Sequence, residues 1–342
     1  MDWPLTPPIK PMKARVVAGP PRGEGWMFEP KWDGFRMIAY GGEQLRLDSR
    51  NGKTLLRYFP ELQPSLDLLP PGTVVDGEVL IVVDNTTDFD LLQLRVHPAR
   101  SRIERLAEEI PARLVAFDLL AERGESLVEA PYATRRARLE DLSEELGDRW
   151  HLTPVTSDLD TASLWFRDYE SAGCDGIICK RADGVYVQDK RQWLKWKHRR
   201  SVDCVIGGYR LHKNGDRIGS ILLGLYNTEG DLHFIGHCSG FSDRDRVTLL
   251  SLLEEISADE SFGGGENTRA PGAQSRWSTK RSMQWTPVEP GVVVQVSYDQ
   301  LQRGRFRHAT RFERWRPDKA PEECTMDQLV RPTGAGFSEV VG

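Results

Sequence analysis

No CxxC pair occurs among the five cysteines, Cys174, Cys179, Cys204, Cys238 and Cys324. An odd set without paired spacing excludes a zinc ribbon and argues against a disulfide framework, so these side chains are expected to be buried and apolar. No apolar run approaches the roughly 18–20 residues that a membrane span needs. The first ten residues hold three prolines where a secretion signal would hold an apolar stretch. The expected location is therefore the cytoplasm. Nor is there an excess of positive charge: 46 Lys and Arg stand against 51 Asp and Glu, a net charge of -5. That balance does not exclude a nucleic-acid partner, because phosphate responds to local clusters and not to the sum. Internal repeats and low-complexity tracts are also missing. What is present is an ordinary composition, 39% hydrophobic and 28% charged, on 342 residues, enough for two domains of unequal size.

Short strand patterns dominate the first part. Phe35 to Tyr40, Gly41-Gly42 and Leu45 to Asp48 read as a hairpin whose glycines supply the turn. Val74 to Val83 and Arg113 to Leu120 are rich in apolar and β-branched residues, whereas Arg135 to Leu146 spaces its leucines as a helix does. These patterns imply an α+β domain, with antiparallel sheets and flanking helices. After Lys197 the pattern changes to short strands, Val202 to Arg210, Ser220 to Tyr226, Leu232 to His237 and Val292 to Ser297. Asn-Gly and Glu-Gly turns, one helix at Asp243 to Ile256 and a Gly-rich stretch around Gly263 to Gly265 interrupt them. That mixture suits a small barrel such as an OB-fold. The boundary is placed near Arg199, giving domains 1–199 and 200–342.

The sharpest local signal is Glu29-Pro30-Lys31-Trp32-Asp33-Gly34-Phe35-Arg36, a lysine followed by an acid and a glycine at the mouth of a strand. Alone it also describes a surface turn, and its weight comes from the ordered motifs downstream. Ser49-Arg50-Asn51-Gly52 ends the hairpin. Asp76-Gly77-Glu78 lies in an apolar run, where a carboxylate needs a partner such as a hydroxyl, a metal or a base; a bulge at Gly77 is the plainer explanation. Phe117, in Val115 to Leu120, reads as core from its spacing. Asp175-Gly176 opens a second β run ending in Lys180, and Trp193-Leu194-Lys195-Trp196-Lys197 points Lys195 and Lys197 the same way. Two like charges on one face call for an anion between them, and a phosphate suits. Basic runs at Lys195 to Arg200 and Arg303 to Arg316 are either solvated faces or phosphate contacts. A nucleophilic lysine, carboxylates for a divalent cation and paired lysines for a phosphoryl group are together the equipment of nucleotidyl transfer.

In this order the motifs resemble the signature series of covalent nucleotidyltransferases, specifically the compact ATP-dependent DNA ligases of bacteria. The likeness runs from Pro11-Met12 to Arg316-Pro317-Asp318-Lys319, nearly the whole chain. It implies that Lys31 carries AMP, with Glu29 near the adenine, Arg36 near the ribose and Phe117 stacked on the base. Arg50 would contact the AMP phosphate and later the 5′-phosphate of a nick. Glu78 would bind the ribose or, with Asp175, hold Mg²⁺ or Mn²⁺. Lys195 and Lys197 would grip the α-phosphate, and Arg316 and Lys319 the departing pyrophosphate. Asp175 stands where such ligases usually have glutamate, which brings a cation closer to the backbone.

The implied substrates are ATP and nicked duplex DNA, with no membrane, a monomeric enzyme of the nucleoid, a setting in DNA repair, and no identified protein partner such as a repair polymerase. An RNA ligase or an mRNA capping guanylyltransferase is the alternative within the same chemistry, and a non-catalytic nucleic-acid clamp the alternative outside it. The mechanism sets two demands. A free lysine is neutral only about 0.04% of the time at pH 7, so Lys31 must lose its proton before it attacks. Because Arg316 and Lys319 fall in the second domain, the chain must also hinge, at Lys197 to Val202.

Overall fold

The computed structural model describes residues 3–263, 271, 284–302, 304–329 and 333–342. Gly264, Gly265 and Arg303, members of the Gly-rich and basic stretches, lie outside them. The chain divides into two compact units, one of residues 1–198 with 332–342 and one of residues 199–331. The last ten residues thus belong with the first unit, and not with the second domain as the sequence pattern suggests. Phe337 and Val340 are the reason: their apolar side chains are buried against first-unit residues.

The first unit is α+β and contains two sheets. One has four strands, in the order Ala14–Val17, Trp193–Lys197, Cys174–Arg181 and Trp26–Trp32; its first pair is parallel and the others antiparallel. The other sheet runs from Arg46–Ser49 through Phe35–Tyr40, Val74–Val83 and Ala112–Glu122 to Glu125–Ser126. Val74–Val83 is buried along most of its length, which explains its nearly unbroken apolar run. The hairpin forms as expected: Gly42 takes the positive φ, +146°, while Gly41 is required because a Cβ there would come within 2.5 Å of the Pro70 carbonyl. The helix Tyr132–Leu146 buries Leu139, Leu142 and Leu146 on this sheet.

Bulges interrupt two strands of the first unit at the acidic motifs. Pairing slips between Asp76 and Gly77, and again between Cys174 and Ile177. At Gly77 an added Cβ would meet the Val115 carbonyl at 2.4 Å, and at Gly176, with φ +143°, the Trp196 carbonyl at 2.1 Å. Glycine is therefore obligatory at both; the first bulge places its extra residue, Phe117, on the strand opposite Asp76-Gly77, and the second places its own within Asp175-Gly176 and re-aims that acid.

The second unit is an antiparallel sheet in the order Leu232–Cys238, Ile218–Tyr226, Arg200–Leu211, Val293–Tyr298 and Arg311–Trp315, with Thr286–Pro287 also paired to Arg200–Leu211. Its core includes Val205, Ile206, Ile221, Leu223 and Leu253. One helix, Asp243–Glu255, is capped by Ser242, whose hydroxyl accepts from the Asp245 amide at 3.2 Å. Short strands around one helix match the expectation, and a parallel bridge from Cys238 to Thr310, with the Thr310 amide donating to the His237 carbonyl at 3.0 Å, links the two ends of this strand order. All five cysteines are buried and unpaired, as expected. Among the described residues no helix is long and apolar enough to cross a membrane.

Candidate active site

A cleft of about 400 Å³ opens in the first unit, and its lining includes Glu29, Lys31, Arg36, Arg50, Glu78, Phe117 and Lys195. Seven residues singled out from five sequence motifs therefore meet in one place. Glu29 and Lys31 both come from strand Trp26–Trp32, where the two-residue period turns them to the same face.

At the open end, Lys31 Nζ lies 2.7 Å from Asp175 Oδ1, and its side chain keeps 22% of its exposure. Lys197 Nζ reaches the other oxygen of Asp175 at 3.0 Å. The sequence pattern calls for a phosphate beside this lysine; here the protein supplies the anion. Burial opposes the charge on Asp175, but Lys31 and Lys197 outweigh it and hold the carboxyl below its ordinary range. Lys195 is lowered, first by burial and then by the nearby charges of Lys31 and Lys197. Glu78 accepts a hydrogen bond from the Gly34 amide at 3.1 Å, and burial pushes it up to about 7 against the pull of Arg36 and Lys31. Arg50 sits exposed on the turn after the hairpin.

The inner end is sealed. Glu29, 2% exposed, is held by Lys180 at 2.8 Å and accepts from the Tyr132 hydroxyl. Lys180 also donates to the Phe117 carbonyl at 2.9 Å and lies 4.4 Å from the ring centres of both Trp193 and Tyr132. Arg36 makes a two-pronged pair with Asp76 at 2.5 and 2.6 Å, and Tyr186 donates to the same carboxylate at 2.6 Å. Burial works against the Arg36 charge, but Asp76 more than offsets it and raises its pKa. The guanidinium also sits 4.6 Å over Phe117, covering one face of that ring. Phe117 is thus both cleft wall and partly buried packing residue.

Arg316 and Lys319 are brought together in the second unit, on Asp203, at 2.7 and 3.1 Å, and Arg316 also pairs with Asp318 at 2.9 Å. Sequence reasoning gave no role to Lys180, Asp76, Tyr132 or Tyr186, nor to Arg15 and Arg191, which also line the cleft. A signal existed for Lys180: a lysine closing the apolar run Ile177 to Cys179 must find a buried partner. Strand pairing sets Ile178 opposite Glu29, which makes Lys180 the diagonal neighbour of that acid.

The family described as ATP dependent DNA ligase domain matches residues 11–197, and that described as ATP dependent DNA ligase C terminal region matches residues 214–319. DNA ligase C2 of Mycolicibacterium smegmatis is 43% identical over 97% of this chain and 97% of its own length. The chain belongs to the ATP-dependent DNA ligases. DNA ligase C of Mycobacterium tuberculosis is similar to this ligase to the same degree, 42% identical over 100% of the chain and 99% of that protein. A solved structure from an analysis of Lig E DNA ligases covers 91% of this ligase at a TM-score of 0.57 and 14% identity, a likeness of fold alone. The protein is an enzyme that uses ATP and acts on DNA, and the cleft just described lies entirely within the first family match.

Proposed function

We propose that this ligase forms a covalent adenylate on Lys31 and uses it to seal nicks in duplex DNA. The observation that carries the reading is the convergence on one cleft of a partly exposed lysine amine, a carboxylate 2.7 Å from it and a sealed polar end lined by Glu29, Arg36 and Phe117. The cleft has the size expected of a small-molecule site.

In the first step the neutral Lys31 amine attacks the α-phosphorus of ATP. A nitrogen–phosphorus bond forms, the bond to the bridging oxygen of the β-phosphate breaks, and pyrophosphate leaves with its electron pair and takes up the proton that the nitrogen sheds. Asp175 holds the Lys31 amine at 2.7 Å and is itself shared with Lys197 at 3.0 Å. Lys195 and Lys197 receive the α-phosphate, Glu29 accepts from the base, Arg36 and Phe117 bound the sugar and the ring, and Arg50 holds the phosphate of AMP and then the 5′-phosphate of the nick. Arg316 and Lys319 bind the departing pyrophosphate. AMP next passes to the 5′-phosphate, and the 3′-hydroxyl displaces it to close the backbone.

Glu78 and Asp175 would hold Mg²⁺ or Mn²⁺. Among the described residues no group of three or more His, Cys, Asp or Glu is arranged as a metal site. One or two carboxylates completed by substrate phosphates are the usual way Mg²⁺ is held beside a nucleotide, so the two acids fit. Bound there, the cation supplies charge neutralisation at the phosphates.

DNA ligases as named relatives favour this reading over an RNA ligase, a capping guanylyltransferase or an inert clamp. Repair on nucleoid DNA, by a cytoplasmic monomer, is the proposed setting. It is supported by 30% identity, over 93% of this chain, to the Mycobacterium tuberculosis multifunctional non-homologous end joining DNA repair protein LigD, of which the match covers 40%. The test is transfer of labelled AMP from ATP. Mass spectrometry should place the adduct on Lys31, and Lys31→Ala should carry none; undiminished labelling of that variant refutes the assignment.

A further inference from the structure

Residues 333–342 lie beyond both family matches, the second of which ends at Lys319, yet they are part of the first unit. Their helix, Phe337–Val341, has five residues, too few to persist in water without packing. Asn85 anchors it: the carbonyl accepts from the Phe337 amide at 2.6 Å, the side-chain oxygen accepts from the Ser338 amide at 2.8 Å, and the side-chain amide donates to Glu339 at 2.9 Å. The Ser171 hydroxyl donates to the Ala335 carbonyl at 2.7 Å. Phe337 and Val340, 4% and 3% exposed, then complete a small apolar cluster with Trp32, Leu80, Val115 and Cys174. The Phe337 ring lies 5.3 Å from Trp32 and meets His151 edge-on at 5.2 Å.

The members of this cluster border the chemistry. Trp32 follows Lys31, Cys174 precedes Asp175, and Trp32 and Cys174 are partners across the sheet. Lys31 and Asp175 meet as an ion pair, while the residues beside them are buried against the terminal helix. Leu80 stands two residues from Glu78 on the same strand. The Trp32 indole is otherwise fixed through its N–H, which donates to the Thr153 hydroxyl at 2.9 Å.

We propose that Phe337 and Val340 are positioning residues for lysine adenylation, setting Trp32 and through it the adjacent Lys31. The proposal rests on Lys31 being the nucleophile. In-line attack tolerates little displacement, and a shift of about 1 Å can cost on the order of a hundredfold in rate. Removing the Phe337 ring opens a void against Trp32, into which the indole and the strand that bears Lys31 can relax.

The test uses the full chain and compares two reactions: adenylation of the enzyme by ATP in a single turnover, and sealing of a nick already bearing AMP on its 5′-phosphate. The second does not call on the Lys31 amine. Phe337→Ala should slow adenylation about tenfold, leave the KM for ATP and the sealing of the pre-adenylated nick within about twofold, and be largely rescued in Phe337→Leu. An equal fall in both reactions means lost folded protein only and overturns the proposal, as does no change in either. If Phe337→Ala does not fold, Val340→Ala carries the same comparison with an expected slowing of about threefold. Wild-type protein that forms no adduct at Lys31 overturns the underlying assignment, an outcome read separately from any variant.

Discussion

Lys31 and Lys180 stand on adjacent strands of one sheet, and each faces a carboxylate. The Lys31 side chain is 22% exposed with Asp175 at its tip, whereas that of Lys180 is 1% exposed between Glu29, the Phe117 carbonyl and the rings of Trp193 and Tyr132. Burial lowers the pKa of Lys180, although Glu29 and Asp118 resist it. By that criterion alone Lys180 would pass for an activated nucleophile. Lys180 lines the cleft, but its amine is committed to Glu29 and the Phe117 carbonyl with almost no exposed surface, so its perturbed acidity records a structural pair. What marks a reactive lysine is an exchangeable partner at an open wall, more than a shifted proton affinity.

The comparison can be broken most sharply at Lys31. Lys31→Arg keeps the charge opposite Asp175 but replaces an amine that can lose its proton with one that cannot. Adenylation should fall by at least about a thousandfold, while stability in urea changes by less than about 1 kcal/mol. Labelling near the wild-type level would remove Lys31 from the chemistry. At the sealed end the expectation is reversed: Lys180→Met strands a buried carboxylate and should lower stability by about 3–5 kcal/mol, part of which Glu29→Gln in the same chain restores. A loss under about 1 kcal/mol would show that water reaches Glu29 at the inner end.

Glu78 tests the wall between the two ends. Its folded pKa, about 7, lies above the ordinary 4.5. In the window between those values the folded state retains a proton that the unfolded chain releases. Metal-free stability should therefore decline as pH rises from 4.5 to about 7 and level off above it, by on the order of 2 kcal/mol. Glu78→Gln should lack that decline, and identical melting profiles for the two proteins across the window would contradict the assignment. The smallest effect is expected in the second unit. Asp203→Asn leaves Arg316 and Lys319 without a carboxylate in a partly open setting, and denaturant melts should show a loss of about 1 kcal/mol; a loss above about 3 kcal/mol would place that trio among the sealed pairs.

Much of the site was legible because its residues come in contiguous motifs whose local geometry follows from residue type. Lys31 and Glu29 share a face by strand period, Gly176 marks a bulge that its backbone requires, and Gly77 admits the close approach of the Val115 carbonyl. The partners supplied from a distance were not legible. Asp76 as the clamp on Arg36 and Asp175 as the shared partner of Lys31 and Lys197 depend on register between strands, and Tyr132 on Glu29 depends on where the helix Tyr132–Leu146 docks. The helices Arg100–Glu109 and Leu159–Asp168 and the terminal helix were not legible either, the last because five residues carry too little periodicity to declare themselves.

The sequence by itself determined the order of the chemical motifs, the α+β character, the apolar fate of the five cysteines and the change of pattern after Lys197, because each depends on neighbours along the chain. Only the tertiary structure decided which lysine is open and which is sealed, and that Phe337 and Val340 close the back of the first unit. Those outcomes depend on burial and on contacts between residues hundreds of positions apart, and no local pattern of side chains encodes them.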